Sequence, residues 1–282
     1  MAIKLMIDSA SDISSQEAQE LGVIMVPMTI TFGEEDFLDG VNLLPKQFYE
    51  KLIESDSLPK TSQINAFRWE EEFAKNLGEK DEMIVITISS KLSGTYASAL
   101  QASEKFGGRV FVIDSLNACI GERLLCLYAL ELIRAGKKAN EIADELDKIK
   151  HKINVLAMLG TLEYLKKGGR ISSAVAFAGK LLSLKPVIAV IDGEVKLIGK
   201  AMGSKNGNNL LNKLVNEKGG IDFSKPYGVI WSGLDNSTLK KYVEDSSNIW
   251  QGKTTNIPAY ILGGTIGTHV GPGAIGVAFF EN

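Results

Sequence analysis

Short apolar runs alternate along the first half of the chain with segments in which apolar residues recur every three or four positions. The runs Ile3–Ile7, Met83–Ile88 and Val110–Ile113 have the length and β-branched content of buried strands. Between them the helical spacing predicts helices from about Ser14, over Pro45–Ser55, and from Asn65 to about Leu77. It predicts further helices from the loop after Ile88 to Phe106, over about Asn117–Ala135, and over Asn140–Lys150. Asn65 stands where an N-cap is needed, and Gly136 follows the end of the long helix. Val23–Phe32 is β-rich, Gly33-Glu34-Glu35 reads as a hairpin turn before Phe37, and Pro59–Gln63 reads as a loop. Strand and helix in alternation predict an α/β fold: a mainly parallel sheet with helices on both faces.

The texture changes after residue 150. Val155–Leu159 and Pro186–Val190 read as strands, and Asp192-Gly193 is a hairpin signal leading into Val195–Ile198. Helices at about Asn208–Asn216 and Ser237–Asp245 flank a strand at Tyr227–Trp231, and Ile275–Phe280 is a last strand. Hairpin strands mixed with helices predict a second, α+β domain. The boundary falls near His151, giving domains over residues 1–150 and 151–282.

Composition narrows the function classes. Lys+Arg 31 against Asp+Glu 34 gives a net charge of −3 with the signs interspersed, so no basic stripe exists to track nucleic acid phosphates. Residues 254–280 lack charged side chains, but their glycines and prolines break a membrane-spanning helix, and the apolar run before Asp8 is too short for a signal-peptide core. These features predict a soluble, cytoplasmic protein. Cys119 and Cys126, seven apart in one helix, are about 10 Å apart along its axis and cannot form a disulfide there. They read as two buried apolar thiols, and no spacing of Cys and His fits a structural zinc. No metal or cofactor is expected.

Several motifs fail on context. Gly271-Pro-Gly273-Ala-Ile-Gly276 spells G-x-G-x-x-G, but only six residues follow it, too few for the helix that a dinucleotide site opens. The chain has no P-loop for ATP phosphates and no G-x-S-x-G nucleophile elbow. Three other segments share a small, hydroxylated, glycine-bearing character: Thr61-Ser62-Gln63, Ser89-Ser90-Lys91-Leu92-Ser93-Gly94-Thr95, and Gly263–Gly276 with His269. Ser93-Gly94-Thr95 follows a buried strand and opens a helix, where free N–H groups and the helix dipole attract an anion. Ser93 serves equally as a plain N-cap, Thr61 and Ser62 as loop hydroxyls bonding their own backbone, and His269 as a core histidine. His151, between two lysines, reads as a solvated surface residue. Taken together the three segments predict a site that grips an anion with neutral donors and one imidazole.

The series Asp8-Ser9, Asp39-Gly40, Thr61-Ser62-Gln63, Ser89-Ser90 with Leu92-Ser93-Gly94-Thr95-Tyr96, Asp114-Ser115, Gly168-Gly169-Arg170-Ile171-Ser172, Lys185-Pro186, Asp192-Gly193, and Ile266-Gly267-Thr268-His269 with Gly271-Pro272-Gly273 closely resembles the DegV family of bacterial fatty-acid-binding proteins. The motifs run in order over essentially the whole chain. The resemblance implies a two-domain fold with a fatty acid held between the domains, its carboxylate bound by Thr61, Ser62, Ser93, Gly94 and His269. It implies a non-enzymatic subunit that presents the lipid to a separate ATP-binding kinase subunit, which forms an acyl phosphate for phospholipid synthesis. Arg170 is the position it assigns to productive engagement of that subunit, and contact with a membrane surface would accompany lipid exchange.

Two features depart from the family pattern. Where two glycines separated by one residue are common, this chain has Gly121-Glu122-Arg123, which would alter the tail pocket if it lined it. The basic segment after the second-domain hairpin is thin, with Lys200 and Lys205 set among small residues. Ala174–Leu184 is a candidate wall for the tail. The sequence also admits an acyl-ester hydrolase with Ser93 as nucleophile and His269 as base, and a regulatory module for a small polar anion.

Overall fold

In the computed structural model, residues 2–171 and 183–282 are described. Strands and helices are numbered along the chain. Strands β1 (Ile3–Asp8), β2 (Ile24–Val26), β6 (Glu82–Thr87) and β7 (Val110–Asp114) form a parallel sheet in the order β2-β1-β6-β7. Strands β3 (Thr29–Phe32), β4 (Glu35–Leu38) and β5 (Lys60–Ser62) form a small antiparallel sheet. From residue 153 onward β8 (Ile153–Met158), β9 (Leu184–Ile191), β10 (Glu194–Met202), β11 (Tyr227–Trp231), β12 (Ala259–Ile261) and β13 (Ile275–Phe280) build a mixed six-stranded sheet, order β10-β9-β8-β13-β11-β12. The helices are α1 (Ser15–Leu21), α2 (Pro45–Glu54), α3 (Ala66–Asn76), α4 (Thr95–Ser103), α5 (Ile120–Arg134), α6 (Ala139–Ile149), α7 (Glu163–Lys167), α8 (Gly203–Glu217), α9 (Ser237–Asp245), α10 (Ser247–Trp250) and α11 (Gly264–Val270).

The expected parallel sheet with its helices is present, and its inner strands are apolar on both faces because helices cover both. Leu5, Met6, Ile7 and Met83 through Ile86 are all essentially inaccessible. In β8 the side chains sort by alternation instead. Leu156 and Met158 pack with Leu211 and Val215 of α8, whereas Val155 joins the cluster that holds Leu124 and Leu125 of α5. Helix α5 is therefore shared by the two large sheets and holds them side by side.

Three local readings of the sequence are corrected. The β-rich stretch at residues 23–32 is not one strand. Pro27 has no N–H to give a ladder, and the chain changes sheet there, with Met28 N–H bonding Ser9 Oγ at 3.0 Å. Pro59–Gln63 is not simply a loop, since Lys60–Ser62 pairs with β3, setting Thr61 opposite Ile30 and Ser62 opposite Thr29. A lysine and two hydroxylated residues carry no apolar alternation, so the neighbouring strand decides this one. Helix α5 begins at Ile120 rather than near Asn117 because Leu116 and Cys119 adopt left-handed backbone (φ 49° and 50°). Cys119 N–H bonds Ala10 O at 2.8 Å instead of entering the helix. Both cysteines are buried and unbridged.

Helix α11 lies in the glycine-rich segment where propensity opposes helix formation. Its glycines are required by packing. A Cβ on Gly264 would meet Ile30 Cδ1 at 2.4 Å, and one on Gly267 would meet Phe48 Cε1 at 2.5 Å. Helix and α2 thus approach to within backbone contact of an aromatic ring. Gly267→Ala is expected to destabilise the protein by about 1–2 kcal/mol, because overpacking costs ~1–3 kcal/mol and alanine's helix propensity returns only ~1 kcal/mol. Thermal melting checks this, and a rise in melting temperature would contradict it.

Candidate functional site

Strand alternation in β5 turns Thr61 towards the cavity and Ser62 away from it, and Gln63, just past the strand and exposed, borders the cavity mouth. Facing them, Ser93 and Gly94 stand between β6 and α4, with Gly94 as N-cap of the helix. Ser93 Oγ lies 2.9 Å from Thr95 Oγ1 and accepts the Thr95 N–H at 3.3 Å, so it supports the first helical turn. The third side is the last turn of α11, where His269 Nε2 lies 2.9 Å from Thr61 Oγ1. Arg170, beyond the end of α7, donates through Nε to Leu92 O (3.1 Å) and through Nη1 to Gly168 O (2.6 Å). Gly94 abuts the Gln63 amide, and Gly168 abuts the His269 ring. These contacts, with the chain itself joining Thr61 to Gln63 and Leu92 through Ser93 to Gly94, bring the three segments and Arg170 to one rim.

That rim borders one part of a cavity of about 230 Å³ between the parallel sheet and the six-stranded sheet. The remaining wall is apolar, drawn from Val155 and Ala157 of β8, Ile188 and Val190 of β9, Ile230 of β11, and Ile266 and Val270 of α11. Cys119 and Ala118 line it too. Among the sequence-derived candidates Thr61, Ser93, Gly94, His269 and Arg170 line the cavity, and Ser62 does not. Gln63 also lines it, and its place in the Thr61-Ser62-Gln63 motif is the only sequence signal for that role. Neither Glu122 nor Arg123 lines this cavity. Arg123 is buried the other way, paired with Glu17 and Asp12 O and stacked on the Tyr260 ring at 3.9 Å. The candidate wall Ala174–Leu184 lies outside the described residues up to position 182.

Buried and half-buried carboxylates fix the loops that carry these groups. Asp8 accepts N–H bonds from Ala10 (2.9 Å) and Ile88 (2.8 Å), and Asp114 accepts from Ser90 (3.1 Å) and Leu116 (3.0 Å). Asp39 accepts from Gly264 (2.9 Å) and Thr265 (3.1 Å), and Asp12 from Gly263 (2.7 Å), so both cap α11 across the fold. Ser89 Oγ donates to Gly193 O at 2.8 Å, tying the hairpin turn of β9 and β10 to the β6 loop. Asp192 and Gly193 are both left-handed (φ 52° and 81°), as a two-residue hairpin turn demands.

Burial pushes the His269 imidazole down to about 4, and the nearby Arg170 charge adds to the effect. The ring is neutral at pH 7. Its Nδ1 is buried and has no hydrogen-bond partner among the described residues. A histidine whose native pKa lies below its unfolded value near 6.5 contributes stability that is present above that value and lost as pH falls towards 4. Relative to His269→Gln, the protein is expected to lose about 2–3 kcal/mol of unfolding free energy between pH 7.5 and 4.5. Asp8, raised by burial to about 7, acts in the opposite sense between its unfolded value and 7, and cancels in that difference. Denaturant titrations of both proteins at the two pH values test it; a constant difference would mean the ring is protonated in the fold.

The model of a family described as "Uncharacterised protein, DegV family" matches residues 2–282. The chain belongs to the DegV family. A DegV domain-containing protein of Deinococcus radiodurans is 31% identical over 282 residues, covering 99% of this chain and 98% of the relative. A DegV family protein from Thermus thermophilus, whose structure is described as one of fatty acid binding, shares 30% identity and a TM-score of 0.88, with 100% of both chains covered. The DegV family protein of Eubacterium eligens loaded with heptadecanoic acid is 26% identical, with a TM-score of 0.84 and 100% of both chains covered. The two-layer arrangement of the DegV fold is thus the one found here. No helix among the described residues is long and apolar enough to cross a membrane, and no group of His, Cys, Asp or Glu among them could hold a metal ion.

Proposed function

We propose that this DegV protein is a cytoplasmic carrier of a long-chain fatty acid, which presents the carboxyl group to a separate ATP-dependent kinase subunit. The carrying observation is the cavity itself: apolar walls from the six-stranded sheet, α11 and the segments that follow β6 and β7, with the neutral donors Thr61, Gln63, Ser93, Gly94 and His269 at one rim and Arg170 at its edge. Each methylene buried contributes about 0.8 kcal/mol, so a sixteen-carbon tail supplies roughly 11 kcal/mol before ordering costs. The head group then needs orientation more than charge. Thr61, Ser93, Gly94 and neutral His269 would hold the carboxylate, with Gln63 beside them and Ser62 only keeping the strand in register. Neutral donors avoid the desolvation cost of a buried ion pair. Arg170, at the edge of the same rim, is the residue assigned to the kinase subunit, whose acyl phosphate product would feed phospholipid synthesis. The chain divides near His151, where the strands of the six-stranded sheet begin.

The hydrolase reading is disfavoured by geometry. His269 bonds Thr61, Ser93 bonds Thr95, and no carboxylate among the described residues orients the imidazole. Denaturing extraction of freshly purified protein followed by mass spectrometry tests the carrier. A stoichiometric long-chain fatty acid is the expected result. Lipid-free protein that also fails to take up added palmitate would end the proposal, and ester turnover lost in Ser93→Ala would favour the hydrolase.

A further inference from the structure

A second concavity of about 540 Å³ opens on the outer side of the polar rim and shares Thr61, Arg170 and His269 with the cavity. Its walls come from the segment before and within β5, from α7 with the residues after it, and from the last turn of α11. Lys60 precedes Thr61 on β5, and Lys167 precedes Gly168, the glycine that abuts the His269 ring. Both lysines are exposed and line the groove with Arg170. One carboxylate, Asp56, faces them there. Arg170 is thus the single cation that the cavity's polar rim shares with the groove, and the two lysines add their charges on the outer side alone.

That division matches two different head groups. A carboxylate carries one negative charge and suits the neutral donors. When it attacks the terminal phosphorus of ATP, a carboxyl-oxygen–phosphorus bond forms, the bond to the ADP oxygen breaks, and ADP leaves with the electron pair. The acyl phosphate left behind projects a more highly charged phosphoryl group outward from the same oxygen, where cationic donors are the fitting partners. We propose that this groove is a phosphoryl subsite in which Lys60, Lys167 and Arg170 hold the phosphate of an acyl phosphate whose tail remains in the cavity. The inference rests on the carrier reading.

Calorimetric binding of two ligands to the full chain tests it: palmitate, and a β-ketophosphonate of equal chain length, in which a methylene replaces the bridging oxygen so that it cannot hydrolyse. Lys60→Ala/Lys167→Ala is expected to weaken phosphonate binding about tenfold or more and to leave palmitate within about twofold, with the phosphonate loss shrinking at high salt. The unchanged palmitate affinity shows that the variant is folded. If both ligands weaken alike, or neither does, the subsite is overturned while the carrier reading stands. If palmitate fails to bind the unmodified protein, the carrier reading falls and takes the subsite with it. Sedimentation with phosphatidylglycerol vesicles separates the other source of phosphate. Vesicle binding lost in the variant without a change in the ligand ratio would assign the lysines to a lipid surface and overturn the proposal.

Discussion

Gly168→Ala is expected to weaken fatty acid binding severely while leaving a folded protein. The backbone of Gly168 tolerates alanine, with φ −76° and ψ −10° in the right-handed region. Space, however, does not. The added Cβ would sit 2.2 Å from His269 Nδ1, 2.9 Å from Cε1 and 3.1 Å from Tyr164 O. The carbonyl belongs to α7 and cannot yield, so the imidazole must move, and with it the 2.9 Å contact from Nε2 to Thr61 Oγ1. Repacking of this kind costs about 1–3 kcal/mol of stability, a moderate fraction of a domain's total. Ligand affinity should suffer more, about a hundredfold, since the head-group donors lose their mutual geometry. Palmitate binding by calorimetry, beside a melting curve, distinguishes the two effects. Near-normal affinity in a folded Gly168→Ala protein would remove His269 from the head-group set.

Asp39→Ala is expected to be the most damaging change outside the cavity. Its two oxygens accept the Gly264 and Thr265 N–H groups, which α11 cannot satisfy internally. Without them, two buried donors lose charged acceptors, a cost of about 2–4 kcal/mol after allowing for the desolvation that the carboxylate itself no longer suffers. Burial raises the Asp39 carboxyl above its ordinary value, so part of the gain from its hydrogen bonds is already offset in the native protein. The melting temperature should fall by roughly 5–10 °C. Because α11 carries Ile266, His269 and Val270 into the cavity, palmitate affinity should fall as well. Asp39→Asn restores one acceptor and should recover about half of the stability. Equal losses in the two variants would mean that charge at the helix start, rather than hydrogen-bond capacity, holds α11.

The same helix shows why apolar patterning was a partial guide. Runs such as Met83–Ile88 and Tyr227–Trp231 reported their strands directly, because a strand buried on both faces must be apolar throughout. The cap at Asn65 was equally plain, since a side-chain oxygen three residues before a free N–H is a local device, and Ser14, where a helix was expected to begin, caps α1 in the same way. Helix α11 had no such local signal. Its acceptors, Asp12 and Asp39, come from more than two hundred residues away, and its glycines answer to Phe48 of another helix. Likewise Arg123 reads as a bulky charge near a tail pocket, yet the fold sends it to Glu17 and Tyr260.

By itself, then, the sequence determined the strand and helix order, the α/β class, the family, and the small hydroxylated segments from which a neutral anion grip could be assembled, because each depends on neighbours within a few residues. Only the tertiary structure decided that Thr61 and Gln63 line the cavity while Ser62 does not, that burial leaves His269 neutral, and that lysines gather outside the rim. Those outcomes depend on strand pairing, burial and charge proximity, which act between residues that meet only in the folded chain.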